Sequence, residues 1–315
     1  MTTPTTRSTD PTIRDSTVLV TGGAGFIGSH LVRTLEGANE IRVLDDFSTG
    51  RRARLPDDVA VFEGDVRSQQ LLRSATSDVD YVFHAAGLVD VAESVERPVE
   101  SHDVNSLATV KLLDAAREAD ARVVVSSSAA VYGHPESLPV HESDEKTPQS
   151  PYGVDKLAMD HYTRLAADLY GVDAVSLRYF NVYGRTPEGG VGGGVVRIFF
   201  SQARSGDPIT VQGDGSQERD FVHVRDVVRA NLLAATTEVS GRAYNVGTGE
   251  STSIATLART VKQCTGSNSP VVHESERLGD VDRSRADVSR AASELGFEPT
   301  VTVEGGIERL AEETL

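Results

Sequence analysis

The chain of 315 residues carries 31 basic and 47 acidic side chains, which give it a formal net charge of −16. Because nucleic acids and anionic membranes are bound through basic surfaces, this charge argues against both as partners. The single cysteine, Cys264, excludes an internal disulfide, and no apolar segment reaches the roughly 20 residues that a membrane-spanning helix needs. We therefore expect a cytoplasmic protein whose residues 1–15, rich in Thr, Ser and Pro, form a disordered tail.

Apolar runs and helical patterns alternate through the first half of the chain. The runs are rich in Val, Ile and Leu, and they lie at 17–23, 41–46, 59–65, 79–87, 122–129 and 172–184. Strands that alternate with helices predict βαβ units, and near-continuous apolar strands are typical of a parallel sheet that is covered on both faces. We therefore predict an α/β fold with a Rossmann-type doubly wound parallel sheet over residues 16–185.

The pattern changes after residue 184. A glycine-rich segment, RTPEGGVGGGVV, predicts a mobile loop. Helical patterns follow at 195–205, 224–237 and 253–264, and short strands are predicted at 209–215 and 243–247. This mixture predicts a smaller mixed α/β C-terminal lobe, mainly residues 186–315, that binds the substrate, while residues 222–248 return to the first domain.

Three glycines at three-residue intervals separate the first strand from the first helix. In VLVTGGAGFIGSHL, Gly22 permits a tight turn, Gly25 lets the backbone approach a pyrophosphate, and Gly28 permits close packing of the helix on the strand. The amide groups and the positive dipole end of the helix would bind the phosphates, with Phe26 and Ile27 in the same turn. This strand–turn–helix context predicts a dinucleotide site.

Residues at the ends of the next strands extend this predicted site. Asp45 lies 20 residues beyond Gly25, where a carboxylate accepts both hydroxyls of a ribose and favours NAD over NADP. Ligands of open parallel sheets bind at the carboxyl ends of the strands. The further candidates at such ends are Asp46, Asp65, Val66, Ala85, Ala86 and Gly87. We therefore predict NAD as the cofactor and no metal site.

The segment SPYGVDK, residues 150–156, predicts a helix that begins with a reactive pair. Ser150 is a suitable N-cap and Pro151 a favoured first helical residue. Tyr152 and Lys156 are four residues apart, so they share a helix face. The ammonium, together with the positive ring of a bound nicotinamide, would lower the pKa of the phenol and make it a base near neutral pH. Ser128, at the end of the fifth strand, could bind the same substrate hydroxyl.

Five segments together resemble the extended short-chain dehydrogenase/reductase family, and within it the sugar-nucleotide 4-epimerases of the UDP-glucose type. These segments are TGGAGFIG, HAAG, SSSAAVYG, SPYGVDK and RYFNVYG. The resemblance implies that NAD is held throughout the cycle, with Tyr152 as the base, Lys156 on the nicotinamide ribose and Ser128 as the partner of Tyr152. It also implies cofactor contacts from Asn105, Ser126, Tyr179, Asn181 and Val182.

Two segments of the second half resemble the family's substrate-binding motifs. GSQERDFVHVRDV and ERLGD imply that Arg219 and Arg277 bind the diphosphate and that Asp280 binds a ribose of a UDP-sugar. A planar guanidinium suits a diphosphate, although each of these residues could instead belong to a surface ion pair. The resemblance places Ser128, Tyr152, Asn181 and Val195 in the same substrate site.

The residues after Ser128 favour one reaction among those of the family. Sugar 4,6-dehydratases, which the chain also resembles, carry Asp-Glu directly after the active serine or threonine, whereas this chain has Ala129 and Ala130. Without those acids only the hydride step at C4 remains, which favours epimerisation of UDP-glucose and UDP-galactose. Ser284 lies near the place that admits a 2-N-acetyl group, so the N-acetylated forms are candidate substrates as well.

Other functions remain open at this point. They are a uronate epimerase, a decarboxylase or a 4,6-dehydratase on the same scaffold, a reductase that releases NADH in each turnover, and a non-catalytic NAD-binding regulator. Retention of the complete Ser128–Tyr152–Lys156 set argues against the regulator.

The resemblance also implies a homodimer, built from the helix near 101–120 and the helix that begins at Pro151. Leu107, Val110, Leu113 and Ala116 give the first of these helices an apolar stripe, which could pack on a partner or on the sheet.

The basic residues are unevenly divided between lysine and arginine. Only four of the 31 are lysines, namely Lys111, Lys146, Lys156 and Lys262. An acid-rich and lysine-poor composition predicts a halophilic protein, because concentrated salt screens the repulsion between its carboxylates.

Overall fold

The computed structural model describes residues 11–275 and 281–314. The strands within these ranges are β1 (Thr17–Thr21), β2 (Glu40–Asp45), β3 (Ala60–Glu63), β4 (Tyr81–His84), β5 (Arg122–Ser128), β6 (Ala174–Tyr179), β7 (Asn181–Arg185), β8 (Val191–Gly192), β9 (Ile209–Gln212), β10 (Glu218–Arg219), β11 (Phe221–His223), β12 (Arg242–Val246), β13 (Thr252–Ser253) and β14 (Val271–Glu274).

The helices are α1 (Phe26–Leu35), α2 (Gln69–Thr76), α3 (Val91–Glu96), α4 (Pro98–His102), α5 (Ala108–Ala119), α6 (Pro151–Tyr170), α7 (Gly194–Ser205), α8 (Val224–Thr236), α9 (Ile254–Cys264), α10 (Ser289–Leu295) and α11 (Val303–Thr314). A π-helical turn, Asp103–Leu107, joins α4 to α5. None of the described helices is long and apolar enough to span a membrane.

A seven-stranded sheet forms the centre of the molecule, in the order β12-β6-β5-β4-β1-β2-β3. Every neighbouring pair in it is parallel. This order is the doubly wound arrangement in which ligands bind beyond the carboxyl ends of the strands. The predicted Rossmann-type fold is therefore confirmed, and its edge strand β12 comes from the second half of the chain.

Alternate residues of the strands contribute side chains to two apolar layers, one on each face of the sheet. Val18 and Val20 pack in the layer that contains residues of α1, α8 and α10, whereas Leu19 packs in the layer that contains residues of α2, α5 and α6. This alternation follows from the period of two in a strand. The same two layers hold the strand ends that carry the candidate site in fixed positions.

The second lobe has a core of its own. It includes Tyr183, Phe199, Phe200, Leu257 and Ile307, all of which are fully or almost fully buried. The lobe contains the small sheets β11-β7-β8, β10-β13 and β14-β9 together with α7, α9 and α11.

Three segments differ from the expectations that the sequence raised. The strand predicted over 172–184 is interrupted at Phe180, so that β6 belongs to the central sheet and β7 to the second lobe. The glycine-rich segment, expected to be a mobile loop, forms a hairpin in which β8 pairs antiparallel with β7. Within the expected tail, Ile13 is 6% exposed and packs in the core, and Asn39 Nδ2 donates to its carbonyl oxygen at 2.9 Å.

Candidate active site

A cleft of about 500 Å³ opens at the carboxyl ends of the central strands. Most of the residues predicted for the site line it. They are Gly22, Gly25, Phe26, Ile27, Gly28, Asp45, Asp46, Asp65, Val66, Ala85, Ala86, Gly87, Ser126, Ser128, Tyr152, Lys156, Tyr179, Asn181, Val182 and Val195. The structure thus brings together residues that are spread over 170 positions of sequence, because parallel strands end at the same edge.

The glycine turn between β1 and α1 leaves no room for side chains. Gly22 has φ = +66°, and a Cβ atom there would lie 2.6 Å from the backbone nitrogen of Ala86. A Cβ at Gly28 would lie 2.2 Å from the carbonyl oxygen of Gly22. Gly25 is the N-cap of α1 and offers no side chain to the first amide groups of the helix. These amides remain available to an anion at the positive end of the helix dipole.

Two neighbouring acids lie at one end of the cleft, namely the last residue of β2 and the residue that follows it. The Asp45 carboxylate accepts hydrogen bonds from the backbone nitrogens of Ala24, at 2.8 Å, and Phe47, at 2.9 Å. Burial raises the pKa of Asp45, and these two backbone bonds oppose that rise. The Asp46 carboxylate accepts from the backbone and hydroxyl of Ser48. Both acids are therefore held by local bonds at the place predicted for a ribose.

Asp65 lies at the same end of the cleft, after β3, and Arg67 binds its carboxylate in an ion pair. The hydrogen bond from the Arg67 guanidinium lowers the pKa of Asp65. Its charge is therefore partly satisfied within the protein.

Helix α6 carries the reactive pair to the middle of the cleft. The Ser150 hydroxyl accepts from the backbone nitrogen of Gly153 at 3.1 Å, which confirms the predicted N-cap. The Lys156 ammonium lies 5.7 Å from the centre of the Tyr152 ring and donates to the carbonyl oxygen of Ser126 at 2.8 Å. The Ser128 side chain lies beside the Tyr152 phenol and acts to lower its pKa. The expected set of three side chains is therefore assembled at one point.

Burial is the main influence on the pKa values of Lys156 and Tyr152. Burial lowers the pKa of Lys156 to about 8, although Asp160 and Asp155 act in the opposite direction. Burial also raises the pKa of Tyr152, and the neighbouring Ser128 side chain opposes that rise. The chain's own groups therefore do not make Tyr152 a stronger base, contrary to the expectation for the lysine alone. A positive charge bound in the cleft would be needed to favour the phenolate.

Behind this set a buried histidine, missed in the sequence, connects three elements. His84 Nδ1 lies 2.7 Å from Thr21 Oγ1, and its Nε2 lies 3.0 Å from Thr109 Oγ1. The Thr109 hydroxyl donates to the carbonyl oxygen of Asn105 at 2.6 Å, so Nε2 carries the ring proton. Burial, and then the charge of Lys156, lower the pKa of His84 to about 3. The His84 imidazole is therefore neutral and does not repel the positive charge of Lys156.

Asn105 lies in the π-helical turn beside the cleft rather than in its lining. Its Nδ2 atom donates to the carbonyl oxygen of Leu88 at 3.0 Å. Its Oδ1 atom is buried and has no hydrogen-bond partner among the described residues. A Cβ at Gly87 would lie 2.6 Å from this oxygen and 3.6 Å from the Lys156 ammonium. A buried acceptor without a partner is costly, so this oxygen is suited to a donor from a bound ligand.

A second polar group fixes the floor of the cleft, in which the predicted Tyr179 and Ser126 meet Asn231, a residue that the sequence did not reveal. The Tyr179 hydroxyl lies 3.2 Å from Ser126 Oγ and receives a hydrogen bond of 2.8 Å from Asn231 Nδ2. Burial raises the pKa of Tyr179 to about 12, so the phenol stays protonated. Asn231 is itself buried on α8 and fixes this ring in place.

Further lining residues were also missed. They are Leu44, Ser48, Thr49, Gly50, Gly64, Val89, Val104, Gly193, Gly194, Val196 and Phe221. The strand-end rule, extended by a few residues past β2, would have found Ser48–Gly50. Phe221 lies within the segment GSQERDFVHVRDV, from which only Arg219 was predicted to belong to the site.

Arg219, which was predicted to bind the substrate, is not among the described residues that line the cleft. The Arg219 guanidinium donates to the carbonyl oxygens of Glu218 and Asp282. Arg277 and Asp280 lie outside the described residues. Ser284 is half-buried, and its backbone nitrogen donates to the carbonyl oxygen of Glu218 at 3.0 Å.

The acids of the cleft lie far from the reactive set in the sheet order. Among the described lining residues the carboxylates are those of Asp45, Asp46 and Asp65, which lie at or just after the ends of β2 and β3. Beyond Ser128 the chain turns through Ala129 and Ala130, and Ser128 Oγ accepts from the Ala130 nitrogen at 3.2 Å. Tyr152 therefore has no neighbouring carboxylic acid in this part of the lining.

Comparisons with known proteins agree with this geometry. The UDP-glucose 4-epimerase of Azospirillum brasilense is 37% identical, over 96% of this chain and 93% of that protein. The UDP-glucose 4-epimerase of Thermotoga maritima, solved with UDP-glucose, is 34% identical and superposes with a TM-score of 0.90 over 94% of this chain and 98% of that one.

A UDP-N-acetylglucosamine 4-epimerase from Methanobrevibacter ruminantium M1, solved with UDP-N-acetylmuramic acid, superposes equally well. Its TM-score is 0.90 and its identity 33%, over 96% of this chain and 98% of that one. The profile of the NAD dependent epimerase/dehydratase family matches residues 18–247. The chain therefore belongs to the NAD-dependent epimerase/dehydratase family.

Proposed function

We propose that this protein is an NAD-dependent UDP-hexose 4-epimerase that interconverts UDP-glucose and UDP-galactose. The observation that carries the proposal is the assembled Ser128–Tyr152–Lys156 set, which has two alanines where an eliminating enzyme of this family needs two acids. The identity to UDP-glucose 4-epimerases over nearly the whole chain supports the same reaction.

The residues of the cleft fit NAD. The glycine turn leaves no room for side chains, which suits a pyrophosphate, and the Asp45 carboxylate stands where it would accept hydrogen bonds from the ribose hydroxyls. The unpartnered Oδ1 of Asn105 lies close to Lys156, where it can accept a hydrogen bond from the nicotinamide half. Bound NAD would supply the hydride acceptor and the hydride donor for C4 of the sugar.

The protein's own part of the reaction is the movement of one proton. The Tyr152 phenolate takes the proton of the C4 hydroxyl as the C4 hydride leaves, and it returns that proton when the hydride comes back to the opposite face. Ser128 stands beside the phenol, where it can also bind the sugar hydroxyl. Lys156 is placed to hold the nicotinamide ribose, and the positive nicotinamide ring of bound NAD⁺ would favour the phenolate. The sugar ends with the same number of electrons and protons, so no external oxidant is consumed.

Between the two hydride steps the 4-keto sugar must turn over while it remains attached. We infer that its diphosphate is held by Arg219 and Arg277 and its ribose by Asp280, with Asn181 and Val195 nearer the sugar. Such a tether keeps the reacting carbon close without fixing the ring. Asn181 and Val195 line the cleft, which supports their part of this assignment.

The N-acetylated UDP-hexoses are included in the proposed substrate range. Ser284 has a small side chain at the position that the resemblance assigns to admission of a 2-N-acetyl group. The close superposition on a UDP-N-acetylglucosamine 4-epimerase supports this extension.

We propose a homodimer that is formed through α3, α4 and α6. These helices are in mutual contact and carry unusually exposed apolar side chains: Val91, Val95 and Val99 on the first two, Val154 and Tyr162 on the third. Of the stripe expected on the helix near 101–120, Leu113 and Ala116 are buried in the core, whereas Leu107 is 40% exposed. A second copy that presents the same face would cover these side chains in a symmetric contact.

We further propose a cytoplasmic protein adapted to high salt. Three of its four lysines have structural roles, since Lys111, Lys146 and Lys156 each donate to a backbone carbonyl oxygen at 2.7–2.8 Å. The surface cations are therefore almost all arginines, and the many exposed carboxylates depend on dissolved cations for screening.

Product analysis tests the proposed reaction. The purified protein is incubated at high salt with UDP-glucose, UDP-galactose or UDP-glucuronate, and the products are separated by anion exchange. We expect the first two to interconvert. Release of CO₂ from UDP-glucuronate would instead indicate a decarboxylase, a 4-keto-6-deoxy sugar would indicate a dehydratase, and epimerised UDP-glucuronate would indicate a uronate epimerase. Retention of NAD through gel filtration separates the epimerase from a reductase that exchanges its cofactor.

A further inference from the structure

The β7–β8 hairpin of the second lobe lies directly against the glycine turn of the first domain. His30 Nε2, on α1, is 2.7 Å from the carbonyl oxygen of Arg185. A Cβ atom at Gly192 would lie 2.5 Å from the Phe26 ring, so the two segments are in van der Waals contact only because residue 192 is a glycine. The hairpin turn is closed by a hydrogen bond of 2.8 Å from the Thr186 nitrogen to the Gly190 carbonyl oxygen.

One ion pair joins the tip of this hairpin to the segment between β2 and β3, on the other side of the glycine turn. Arg54, in the segment after β2, donates from Nε to Glu188 Oε1 at 2.7 Å. The two side chains are only 14% and 21% exposed, and they are 134 positions apart in the sequence. Arg54 Nη1 also approaches the carbonyl oxygen of Ala24, at 3.3 Å, within the glycine turn itself. The guanidinium thus contacts the turn and the hairpin at the same time.

The hairpin leads straight into the cleft. Immediately after β8, Gly193, Gly194 and Val195 contribute to the lining, opposite Gly25 and Phe26. A ligand whose phosphates lie on the glycine turn would therefore be enclosed between that turn and the hairpin. Movement of the hairpin away from α1 would break the Arg54–Glu188 and His30–Arg185 contacts and open this side.

We propose that the Arg54–Glu188 ion pair is a clasp that holds the β7–β8 hairpin over the cofactor and slows its release. The proposal rests on NAD as the bound cofactor of the proposed function. A low exposed fraction makes this pair stronger than a solvated surface pair, because water screens it less. An enzyme that returns the hydride to the same substrate gains from such a device, since loss of NADH between the two steps would strand the keto sugar.

The release rate of the cofactor tests the clasp separately from epimerisation. Holoprotein variants are loaded with NADH, whose fluorescence reports the bound state, and excess NAD⁺ is added to displace it. The variants are Glu188→Gln, Arg54→Gln and the charge exchange Arg54→Glu/Glu188→Arg. Glu118→Gln is the matched control, because Glu118 forms an ion pair of 3.0 Å with Arg73 between two helices on the surface.

We expect each single variant to release NADH about tenfold faster, which corresponds to about 1.4 kcal/mol. The charge exchange should recover most of the original rate, and the Glu118→Gln control should behave as the wild type. Release at the wild-type rate from both single variants, or no recovery in the charge exchange, would overturn the clasp. A wild-type protein that binds no NADH would instead contradict the proposed function, so the two failures are distinguishable.

Discussion

The Lys156 ammonium donates to the Ser126 carbonyl oxygen at 2.8 Å, and this bond joins α6 to β5 under the reactive tyrosine. Because Ser126 Oγ lies 3.2 Å from the Tyr179 hydroxyl, the backbone and the side chain of a single serine connect the lysine to the floor of the cleft. Ser126 therefore fixes both the Lys156 ammonium and the Tyr179 ring.

Replacement of Tyr152 by phenylalanine should remove the proton acceptor and leave the rest of the site in place. We expect a correctly folded protein that keeps NAD but epimerises UDP-galactose about 10²–10⁴-fold more slowly, the usual contribution of general acid–base catalysis. Tyr170→Phe is the control, because Tyr170 is a 66% exposed phenol on the same helix. Turnover close to that of the wild type would show that Tyr152 is not the base.

The pH dependence should reveal the charge of Lys156. Its pKa is lowered to about 8, so the ammonium is charged below pH 8 and is lost as the pH rises through that value. We therefore expect kcat to fall on the alkaline side. Asp155→Asn removes one of the two carboxylates that raise the pKa of Lys156, so this alkaline limb should move to lower pH.

The control for this profile is Asp168→Asn, an exposed carboxylate on α6 that pairs with Arg164. The buried His84 faces Lys156 from β4, and with a pKa of about 3 it does not titrate in this range. An alkaline limb that stays in place in Asp155→Asn would contradict the assignment.

Replacement of Gly28 by alanine should distort the glycine turn between β1 and α1, where we expect the phosphates of NAD to bind. The added methyl would lie 2.2 Å from the Gly22 carbonyl oxygen. This oxygen belongs to the backbone, so it can move away only if the turn itself is distorted. We expect a loss of at least about tenfold in NADH affinity, or about 1.4 kcal/mol, in a fluorescence titration. Gly305→Ala in α11 meets only the Thr302 hydroxyl, at 3.1 Å, and should bind normally. Unchanged affinity in Gly28→Ala would place the phosphates elsewhere.

A charge on the proposed dimer face should produce monomers. Val99 is 74% exposed and Val95 62% exposed, so Val99→Glu should fold normally and fail to associate. Sedimentation velocity at micromolar concentration measures the result. Ile198→Glu, on a 38% exposed residue of α7 in the second lobe, is the control. A monomeric wild type, or a dimeric Val99→Glu variant, would rule out this face.

Concentrated salt should stabilise the fold. With 47 acidic and 31 basic residues, the molecule repels itself when its counterions are dilute. We expect the Tm to rise by about 10 °C between 0.1 and 3 M KCl, which at roughly 2–4 °C per kcal/mol is a few kcal/mol. A Tm that does not depend on salt would refute the adaptation.

Local patterns made most of the site predictable. The glycine turn, the capped start of α6 and the strand ends at Ala85 and Ser128 are all short-range features, and the sheet then brings them together whatever their separation in sequence. Because parallel strands end at the same edge of the sheet, the sequence patterns alone place Gly22 and Tyr152 in one site.

The parts that were missed depend on contacts between distant segments. Nothing in the Val-rich run that contains Phe180 indicated that the chain changes sheets there, because both halves are buried strands. The ordered hairpin was hidden in a glycine-rich segment, since the glycines that indicate flexibility also permit the close approach of Gly192 to Phe26. The pairing of Arg54 with Glu188 and the neutral state of His84 likewise follow only from packing.

The edge strand β12 limits how this protein can be divided or recombined. Residues 242–246 complete the central sheet beside β6, and α8 covers one of its faces. A fragment that ended at residue 185 would expose the free hydrogen-bonding edge of β6 and the apolar layer beneath α8. Exchange of substrate lobes with a relative therefore requires three crossovers, one near residue 185 and one on each side of the segment 222–248. A chimaera with a single junction near residue 185 would have β12 from one parent and the rest of the central sheet from the other.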